Sequence, residues 1–474
     1  MSVSVPLLLM FAVWTSLVPD SVSGSWCHNN SRLGDRNELP IDDSAAVFVR
    51  RVTNGERYLI GAASPYDAIH LIHVYGYSGY DFGYAFGQLM GNELNATLSY
   101  AFDKFAEVVA QQIEQGAAWI PAAIASMIAT KGLDFFLDWQ YDESRSFMDP
   151  EVFAEMHGMS DASGTDYLLI RRIHFFGEIT RGACSLFGAH SSATRGGNRV
   201  MLRAFDWNTG VGLQNYPTIT VYHPLGGEKQ PLLGHAWMNI GWAGWIGSLS
   251  GVSSELLGMG SIGITNPDNT FGNQSYVGEP FIFLQRRVLQ HAKSISQVEA
   301  MISCAHRTCH LVFGAAIGRK KGPQKGVSRL TAPNITSLPA ATSPEPYMIA
   351  QYSASQVRFF NSSTLQPLET WHPRIPDIVY ECMDWVCPSF QRKMAHQLLQ
   401  YHGQLDPVVT LRNITSIVMT GNLQVVTMDL DEGVIYVANA KSNRDPRPES
   451  RERAYDRTFV FVNATQLFVH GENR

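Results

Sequence analysis

The chain has 474 residues, enough for one to three domains, and its 45% hydrophobic and 16% charged residues are typical of a globular protein. Its formal net charge is -6, with an isoelectric point near 6.2. This charge leaves no basic footprint for nucleic acid, so the composition excludes a nucleic-acid partner.

The apolar residues 5–18 and the small residues at 21–25 are typical of a secretory signal peptide, which we place over residues 1–24. The usual basic start is missing, and the run is too short to span a bilayer. We expect a secreted or lysosomal glycoprotein, because sequons without proline recur along the chain; chance triplets are the alternative. The sequons begin at Asn29, Asn95, Asn273, Asn334, Asn361, Asn413 and Asn463.

Two close pairs of cysteines are natural local disulfides in an oxidising compartment, although connectivity cannot be read from spacing. They are Cys304 with Cys309 and Cys382 with Cys387. Cys27 and Cys184 remain outside these pairs. Cys184 is therefore the cysteine most easily left unpaired.

The part of the chain before Cys184 is predicted to be mainly helical. Residues 46–62 predict a β-hairpin around an Asn-Gly turn. Residues 79–112 follow a helical pattern, with glycines at four-residue spacing on one face that we expect to allow close helix packing. Residues 150–178 predict two helices that are joined by a Gly/Ser-rich turn and lead to Cys184.

Residues 116–130 form the most apolar internal run, which contains Pro121 and is too short to span a bilayer. A buried helix is the simpler interpretation. The alternative is an apolar lid, or a helix that contacts a membrane surface beside a lipid-binding cleft.

From Asn198 onward, short strands and turns replace the helical patterns. Later segments predict a long helical stretch at 280–305, an exposed loop at 318–346, a helix at 388–402, a hairpin at 422–440, a solvated charged loop at 441–457 and a last strand at 458–470. Helices, then strands around Cys184, then helices and strands again predict an α+β fold. We expect a layered αββα arrangement rather than a doubly wound sheet.

The residues around Cys184 suggest a nucleophile. Cys184 lies among small residues, and Arg203 and Asp206 follow across a predicted hairpin. If the chain is cut before Cys184, the new α-amine, with a pKa of roughly 7.7, can take the proton of a thiol whose pKa is roughly 8.5. A nearby carboxylate would hold the amine, and a cation would favour the thiolate. A packed core thiol is the alternative.

The stretches GACSLFGAHSSAT and NRVMLRAFDWN, at 182–194 and 198–208, resemble the start of the mature chain in cysteine N-terminal-nucleophile hydrolases. The isopenicillin N acyltransferase-like (peptidase C45) group is the nearest. Acid ceramidase, N-acylethanolamine acid amidase and choloylglycine hydrolase are more distant. Their nucleophilic cysteine is followed by R-x-x-D, which Cys184, Arg203 and Asp206 match. The resemblance covers most of residues 55–320.

This resemblance implies a four-layer αββα N-terminal-nucleophile sandwich that is cut autocatalytically between Ala183 and Cys184. Residues 25–183 would then be a helical N-terminal segment, the α chain. Residues 184–474 would be the catalytic domain, the β chain, with the exposed loop 318–346. The implied chemistry needs no metal or organic cofactor.

In this hypothesis the Cys184 thiolate attacks an amide carbonyl and its α-amine relays the proton. Asp206 positions that amine, and Arg203 orients the nucleophile or a substrate oxygen. The family's late oxyanion-hole Asn has no counterpart in residues 377–387. Asn266 fits an oxyanion or substrate-contacting Asn of the choloylglycine group, with an ordinary turn residue before proline as the alternative.

The expected reaction is hydrolysis of an N-acyl amide, a small-molecule or lipid-like substrate with an apolar acyl group, through a thioester. Residues 116–130 and the Trp-rich 237–245 would line an apolar cleft. Two alternatives stay open. An acyltransferase would pass the acyl group to an amine, and a catalytically silent secreted glycoprotein of the same fold would remain uncut.

Overall fold

The computed structural model describes residues 39–62, 65–116, 120–179, 183–226, 233–263, 272–320, 345–365, 372–381, 388–448 and 451–470. Several predicted features lie outside these residues and stay predictions. They are the signal peptide, most of the loop at 318–346, Cys27, Cys382, Cys387, Asn29, Asn266 and Asn334.

The described strands are, in chain order, β1 (Ile41–Asp42), β2 (Val47–Val52), β3 (Gly55–Ile60), β4 (Ile69–Gly76), β5 (Ala183–Ala189), β6 (Val200–Asp206), β7 (Pro217–Pro224), β8 (Trp237–Trp242), β9 (Ser250–Ser253), β10 (Leu257–Gly263), β11 (Leu311–Ile317), β12 (Tyr347–Tyr352), β13 (Val357–Phe360), β14 (Ile378–Glu381), β15 (Gln424–Asp429), β16 (Val434–Asn439) and β17 (Phe459–Asn463).

The described α-helices of six or more residues are α1 (Gly79–Glu114), α2 (Ala122–Lys131), α3 (Leu133–Ser144), α4 (Pro150–Ser163), α5 (Tyr167–Ile173), α6 (Phe281–His291), α7 (Ile295–Cys304), α8 (Pro388–Gln400) and α9 (Ala464–Val469). A further run of helical turns spans 407–418 and includes a π-helical turn at Thr410–Thr415.

The strands form two sheets. The seven-stranded sheet has the order β1-β17-β16-β15-β6-β5-β14, and the ten-stranded sheet has the order β13-β12-β11-β10-β9-β8-β7-β4-β3-β2. Neighbouring strands are antiparallel except for two parallel pairs, β1 with β17 and β4 with β7. Cys184 lies on β5, near one edge of the seven-stranded sheet.

The two sheets face each other, and glycines at their interface leave room for large side chains. A Cβ atom at Gly188 of β5 would overlap the ring of Tyr347 on β12. Helices α1, α6 and α7 cover the outer face of the ten-stranded sheet, and the helical turns at 407–418 cover the other sheet. The architecture is therefore the expected α+β fold with four layers in the order αββα.

Helix α1 packs tightly against α4 through its glycines. Its start is fixed by a capping box between Ser78 and Asp81. A Cβ atom at Gly83 would overlap the backbone carbonyl of Glu155 in α4, and one at Gly87 would lie 2.8 Å from the Cβ of Ala162. The prediction that this glycine stripe allows close helix packing is confirmed.

The N-terminal segment is more than the helical unit that we expected over residues 25–183. It includes the predicted hairpin, β2 with β3, and also contributes β4 to the middle of the ten-stranded sheet. Strand β4 pairs in parallel with β7, which lies after Cys184 in sequence. The two sides of the predicted cut therefore share one sheet and one core.

The charged run at 441–457 does not behave as the solvated loop that we predicted. The carboxylate of Asp445 is buried and forms an ion pair with Arg447 at 2.7 Å. Arg457 is buried as well and pairs with Asp67 near the start of β4. Some charged residues in this run therefore form ion pairs within the protein. The sequence pattern alone does not distinguish such paired charges from charges that are exposed to solvent.

The predicted last strand at 458–470 is only half correct, because β17 ends at Asn463 and α9 follows it. The side chain of Asn463 accepts a hydrogen bond from the backbone N–H of Gln466 and caps the helix. Asn is a favoured N-cap residue, so this change from strand to helix has a local cause.

Residues 122–130 of the apolar run belong to α2, which lies at the surface. Within the helix only Ile124 is buried. The buried-helix interpretation is therefore wrong for the described part of this run, and contact with a membrane surface stays a prediction. No helix in the described ranges combines the length and the apolar character that crossing a bilayer requires.

Candidate active site

Strands β5 and β6 form the antiparallel pair that carries the predicted residues. Their register places Ala183 opposite Asp206 and Cys184 opposite Phe205. Side chains alternate between the two faces of a strand, so Cys184 shares with Gly188 the face that meets the other sheet. Asp206 shares its face with Ser185, away from that interface.

The thiol of Cys184 is buried, with 2% of the residue exposed. Burial raises its pKa from 9.0 to about 11, although Arg203 and hydrogen bonds from the backbone of Asp206 and Gly263 act to lower it. The thiol is therefore protonated at neutral pH in the uncut chain. A nucleophile at this position needs a base to remove that proton.

Arg203 lies on the same face as Cys184. Its Nε donates to the carbonyl oxygen of Ser261 at 3.1 Å, and its guanidinium carbon lies 4.2 Å from the ring centroid of Phe205. A Cβ atom at residue 260 would lie 2.6 Å from the Arg203 Cγ, so Gly260 provides the space for this side chain. Burial lowers the pKa of Arg203, but a guanidinium remains charged in proteins.

Asp206 accepts hydrogen bonds from three consecutive residues that follow a left-handed turn at Met419. Thr420 donates from its hydroxyl at 2.8 Å, Gly421 donates from its backbone N–H at 2.9 Å to each oxygen, and Asn422 donates from its backbone N–H at 2.8 Å. Burial raises the pKa of Asp206, and these donors oppose the rise. The carboxylate is thus rigidly held beside the Ala183–Cys184 junction.

Asn422 is a site residue that sequence reasoning missed. Its Oδ1 accepts from the backbone N–H of Trp207 at 2.7 Å, and its Nδ2 donates to the Trp207 carbonyl at 2.9 Å. These bonds fix the chain just after Asp206. The signal in the sequence is the polar triplet Thr420-Gly421-Asn422, which leads into the predicted hairpin at 422–440.

Cys184 lines a cavity of about 50 Å³ whose wall is mainly aromatic and aliphatic. The apolar side of the wall is formed by Phe205, Trp207, Trp245, Leu249 and Phe281. Arg203 and His310 are among its polar members. The Trp-rich segment 237–245 therefore contributes to the cavity as expected, through Trp245, whereas the described residues of 116–130 are not part of its lining.

The remaining predicted site residues give a mixed result. Cys304 is an exposed free thiol in the structure, so the expected bridge to Cys309 is not formed there. Asn95 and Asn273 are exposed, which suits glycosylation, while the Asn413 amide already donates to the hydroxyl of Tyr401 at 2.9 Å. The described residues hold no cluster of three or more His, Cys, Asp or Glu side chains that would ligate a metal.

No protein-family model matches the chain. Protein dcd1A of Dictyostelium discoideum is 29% identical over 450 residues, which cover 92% of this chain and 93% of that protein. Protein dcd1B of the same organism is 29% identical over 441 residues, which cover 90% of this chain and 80% of that protein.

Three solved structures are similar to part of the chain. The Caenorhabditis elegans ortholog of N-acylethanolamine-hydrolyzing acid amidase has a TM-score of 0.34 at 13% identity and covers 52% of this chain and 93% of its own. Penicillin V acylase from Agrobacterium tumefaciens has a TM-score of 0.36 at 8% identity, and the match covers 61% of this chain and 89% of the acylase. Conjugated bile acid hydrolase from Clostridium perfringens has a TM-score of 0.32 at 11% identity, and the match covers 59% of this chain and 96% of the hydrolase. By name these are an amidase, an acylase and a hydrolase.

Proposed function

We propose that the protein is an N-terminal-nucleophile cysteine amidohydrolase that cuts itself between Ala183 and Cys184 and hydrolyses an N-acyl amide. The observation that carries this proposal is the arrangement at β5 and β6. Cys184 opens onto an apolar cavity that Arg203, a buried cation, also lines. Asp206, whose carboxylate is held by Thr420, Gly421 and Asn422, lies opposite Ala183 in the strand register, next to the residue where the new α-amine would form.

In the proposed cycle the α-amine of Cys184 takes the thiol proton, and the thiolate forms a C–S bond with the amide carbonyl carbon. The C–N bond then breaks, and the departing amine receives the proton from the α-ammonium. Water hydrolyses the thioester and releases the acid, which restores the thiol. Asp206 holds the α-amine in both of its protonation states, and the Arg203 charge stabilises the thiolate.

The cavity supports an apolar acyl group. Aromatic and aliphatic side chains dominate its wall, so an acyl chain would bury apolar surface there at roughly 25 cal/mol per Å². A small-molecule or lipid-like N-acyl amide is therefore the proposed substrate class.

We further propose, from residues 1–24 and the sequons, that the protein is a secreted or lysosomal glycoprotein.

The self-cleavage is tested by purifying the wild-type protein and sequencing the N-termini of its fragments. We expect one fragment to begin at Cys184 and to be absent from Cys184→Ala. An uncut wild-type chain that still hydrolyses amides, or hydrolysis that persists in Cys184→Ala, would overturn the proposal. An uncut and inactive chain would favour the silent glycoprotein instead.

Hydrolase and acyltransferase are separated by the fate of one acyl donor. Wild-type protein is incubated with an acyl aminomethylcoumarin, with and without an added primary amine, and both the free acid and the new amide are quantified. A hydrolase gives free acid as the main product in both reactions, whereas a new amide as the main product would show an acyltransferase.

A further inference from the structure

Trp245 forms part of the cavity wall from the tight turn between β8 and β9. The turn includes Gly244 at φ 81°, a left-handed conformation that suits glycine, and the Trp245 backbone N–H donates to the Trp242 carbonyl at 3.0 Å. Trp245 is 7% exposed. Its indole is therefore presented to Cys184 by a short segment with little freedom of its own.

Three buried side chains hold the backbone of this turn. Asn239 of β8 donates from Nδ2 to the carbonyl oxygens of Trp245 at 2.9 Å and Gly247 at 3.1 Å. Nε2 of His174 accepts the backbone N–H of Ile246 at 3.0 Å, and Arg286 of α6 donates to the carbonyl of Ile246 at 3.2 Å.

Two of the three holding side chains, Arg286 and His174, are held by further contacts of their own. Arg286 pairs with Glu155 of α4 at 2.6 Å, and Tyr222 donates to the same carboxylate at 2.9 Å. The Nδ1 atom of His174 lies 2.7 Å from the Ile170 carbonyl, and its ring lies 5.2 Å from the Trp245 ring. These hydrogen bonds and the buried ion pair tie the turn to β8, α4, α5 and α6, so the position of Trp245 is preorganised.

Three donors on the cavity wall nevertheless have no partner among the described residues. They are Nε1 of Trp245, Nη1 of Arg203 and Oγ of Ser261, and all three atoms are buried. Buried polar atoms in native proteins almost always have a partner, and an orphaned one costs about 1–3 kcal/mol. Cys184, Arg203 and Trp245 line the same cavity, so a carbonyl group that is bound beside Cys184 would share that cavity with the donors of Arg203 and Trp245.

We infer that Trp245 is a substrate-binding residue whose indole N–H donates to the carbonyl oxygen of the amide attacked by Cys184, with Arg203 as the second donor. His174, Asn239 and Arg286 are its positioning residues. This inference rests on the proposed function and names the donor that stabilises the developing oxyanion. His174 precedes the proposed cut, so both fragments build the site.

The test compares two Trp→Phe variants on the hydrolysis of acetyl, octanoyl and palmitoyl amides of aminomethylcoumarin. Trp245→Phe keeps an aromatic ring but removes the N–H, and kcat should fall about a hundredfold, the usual loss of one oxyanion donor, with a smaller change in KM. Trp242→Phe is the matched control, because its Nε1 is also buried without an acceptor in the described chain but it does not line the cavity. It should keep kcat within about threefold of wild type, since the donor it loses is not an oxyanion donor.

Thioamide analogues separate a lost hydrogen bond from disturbed packing, because sulfur is a weak acceptor. The wild-type to Trp245→Phe rate ratio should shrink toward one on the thioamide. An unchanged ratio, equal losses in both Trp variants, or full activity of Trp245→Phe would overturn the inference while leaving the proposed function intact. Hydrolysis that survives Cys184→Ala, or no hydrolysis by wild type, would remove both.

His174→Gln and His174→Leu test the positioning role. A glutamine oxygen can accept the Ile246 N–H, whereas leucine cannot. We expect His174→Leu to lower kcat and His174→Gln to restore at least part of it. Equal kcat in the two variants would contradict the positioning role.

Discussion

Burial and the charge of Arg203 shift the pKa of the Cys184 thiol in opposite directions, and the effect of burial is the larger in the uncut chain, where the pKa is about 11. The cation of Arg203 is therefore not sufficient to make a thiolate at neutral pH. An α-amine released at the same residue would supply the missing base. At the scale of single residues, the site is complete only if the chain is cut.

Two substitutions of Asp206 should have different effects on stability and on activity. Asp206→Ala leaves two backbone N–H groups and the Thr420 hydroxyl without their acceptor, so the free energy of unfolding should fall by about 2–4 kcal/mol. Asp206→Asn keeps an oxygen for the two N–H groups and should cost less than about 1 kcal/mol. Hydrolysis should nevertheless be lost in Asp206→Asn, since a neutral amide holds an ammonium poorly.

Urea unfolding followed by tryptophan fluorescence measures the first effect, and turnover of the coumarin amides measures the second. Asp103→Asn is the control, because Asp103 is exposed on α1, and it should change neither quantity. Full activity in Asp206→Asn would show that the Asp206 charge has no role in the reaction.

At the scale of elements, the glycines of α1 decide how closely α4 approaches α1. Helix α4 carries Glu155, which pairs with Arg286, and Arg286 holds the turn of Trp245. The helix pair therefore supports the cavity wall from a distance. A change in the distance between α1 and α4 should therefore disturb the buried Glu155–Arg286 ion pair first.

Gly83→Ala and Gly91→Ala should differ strongly although both replace a helical glycine. The new Cβ atom at Gly83 overlaps the backbone of Glu155, whereas at Gly91 the nearest atom, the Cβ of Ser163, is 3.2 Å away. Gly83→Ala should destabilise the protein by about 3 kcal/mol or more, the scale of serious overpacking. Gly91→Ala should stay within about 1 kcal/mol, because the helix propensity of alanine offsets the mild contact. Urea unfolding of both variants measures these changes, and equal values would show that the helices adjust freely.

The sequence predicted most of these elements but not their supporting contacts. The hairpin at 46–62, the glycine-lined helix and the hairpin at 422–440 follow from local periodicity and turn residues. The charged run at 441–457 and the end of β17 were misread, because ion pairing with Asp67 and the N-cap at Asn463 depend on neighbours that the pattern does not contain.

At the scale of the whole molecule, buried neutral histidines link stability to pH. Burial is the main cause that lowers the pKa of His70, His174 and His235 from 6.5 to about 4. Between these values the unfolded chain binds more protons than the native one, so stability rises with pH across that window and is lost on acidification.

We expect the free energy of unfolding to decrease as pH falls from about 6.5 to about 4, with a limiting slope of about 1.4 kcal/mol per pH unit for each of the three histidines. Urea unfolding at several pH values measures the slope. His174→Gln should lower it relative to wild type. His396→Gln is the control, because His396 is exposed on α8, and it should leave the slope unchanged. A slope that His174→Gln leaves unchanged would show that His174 is already protonated in the folded protein.

The shared sheets also predict how the cut protein behaves. Strand β4 from the N-terminal piece pairs along its whole length with β7, and β1 pairs with β17. The two pieces should therefore elute together from a size-exclusion column in native buffer and separate only in denaturant with reductant. Separate elution in native buffer would contradict the common core.

By itself, the sequence determined the layered α+β class, the nucleophile candidate and its R-x-x-D partner, because these depend on local periodicity and on residues close together in the chain. Only the tertiary structure decided that Asp206 faces Thr420, Gly421 and Asn422, and that Trp245 reaches the Cys184 cavity. Those contacts join strands and turns far apart in sequence. Their register is set by the packing of two whole sheets, which no local pattern encodes.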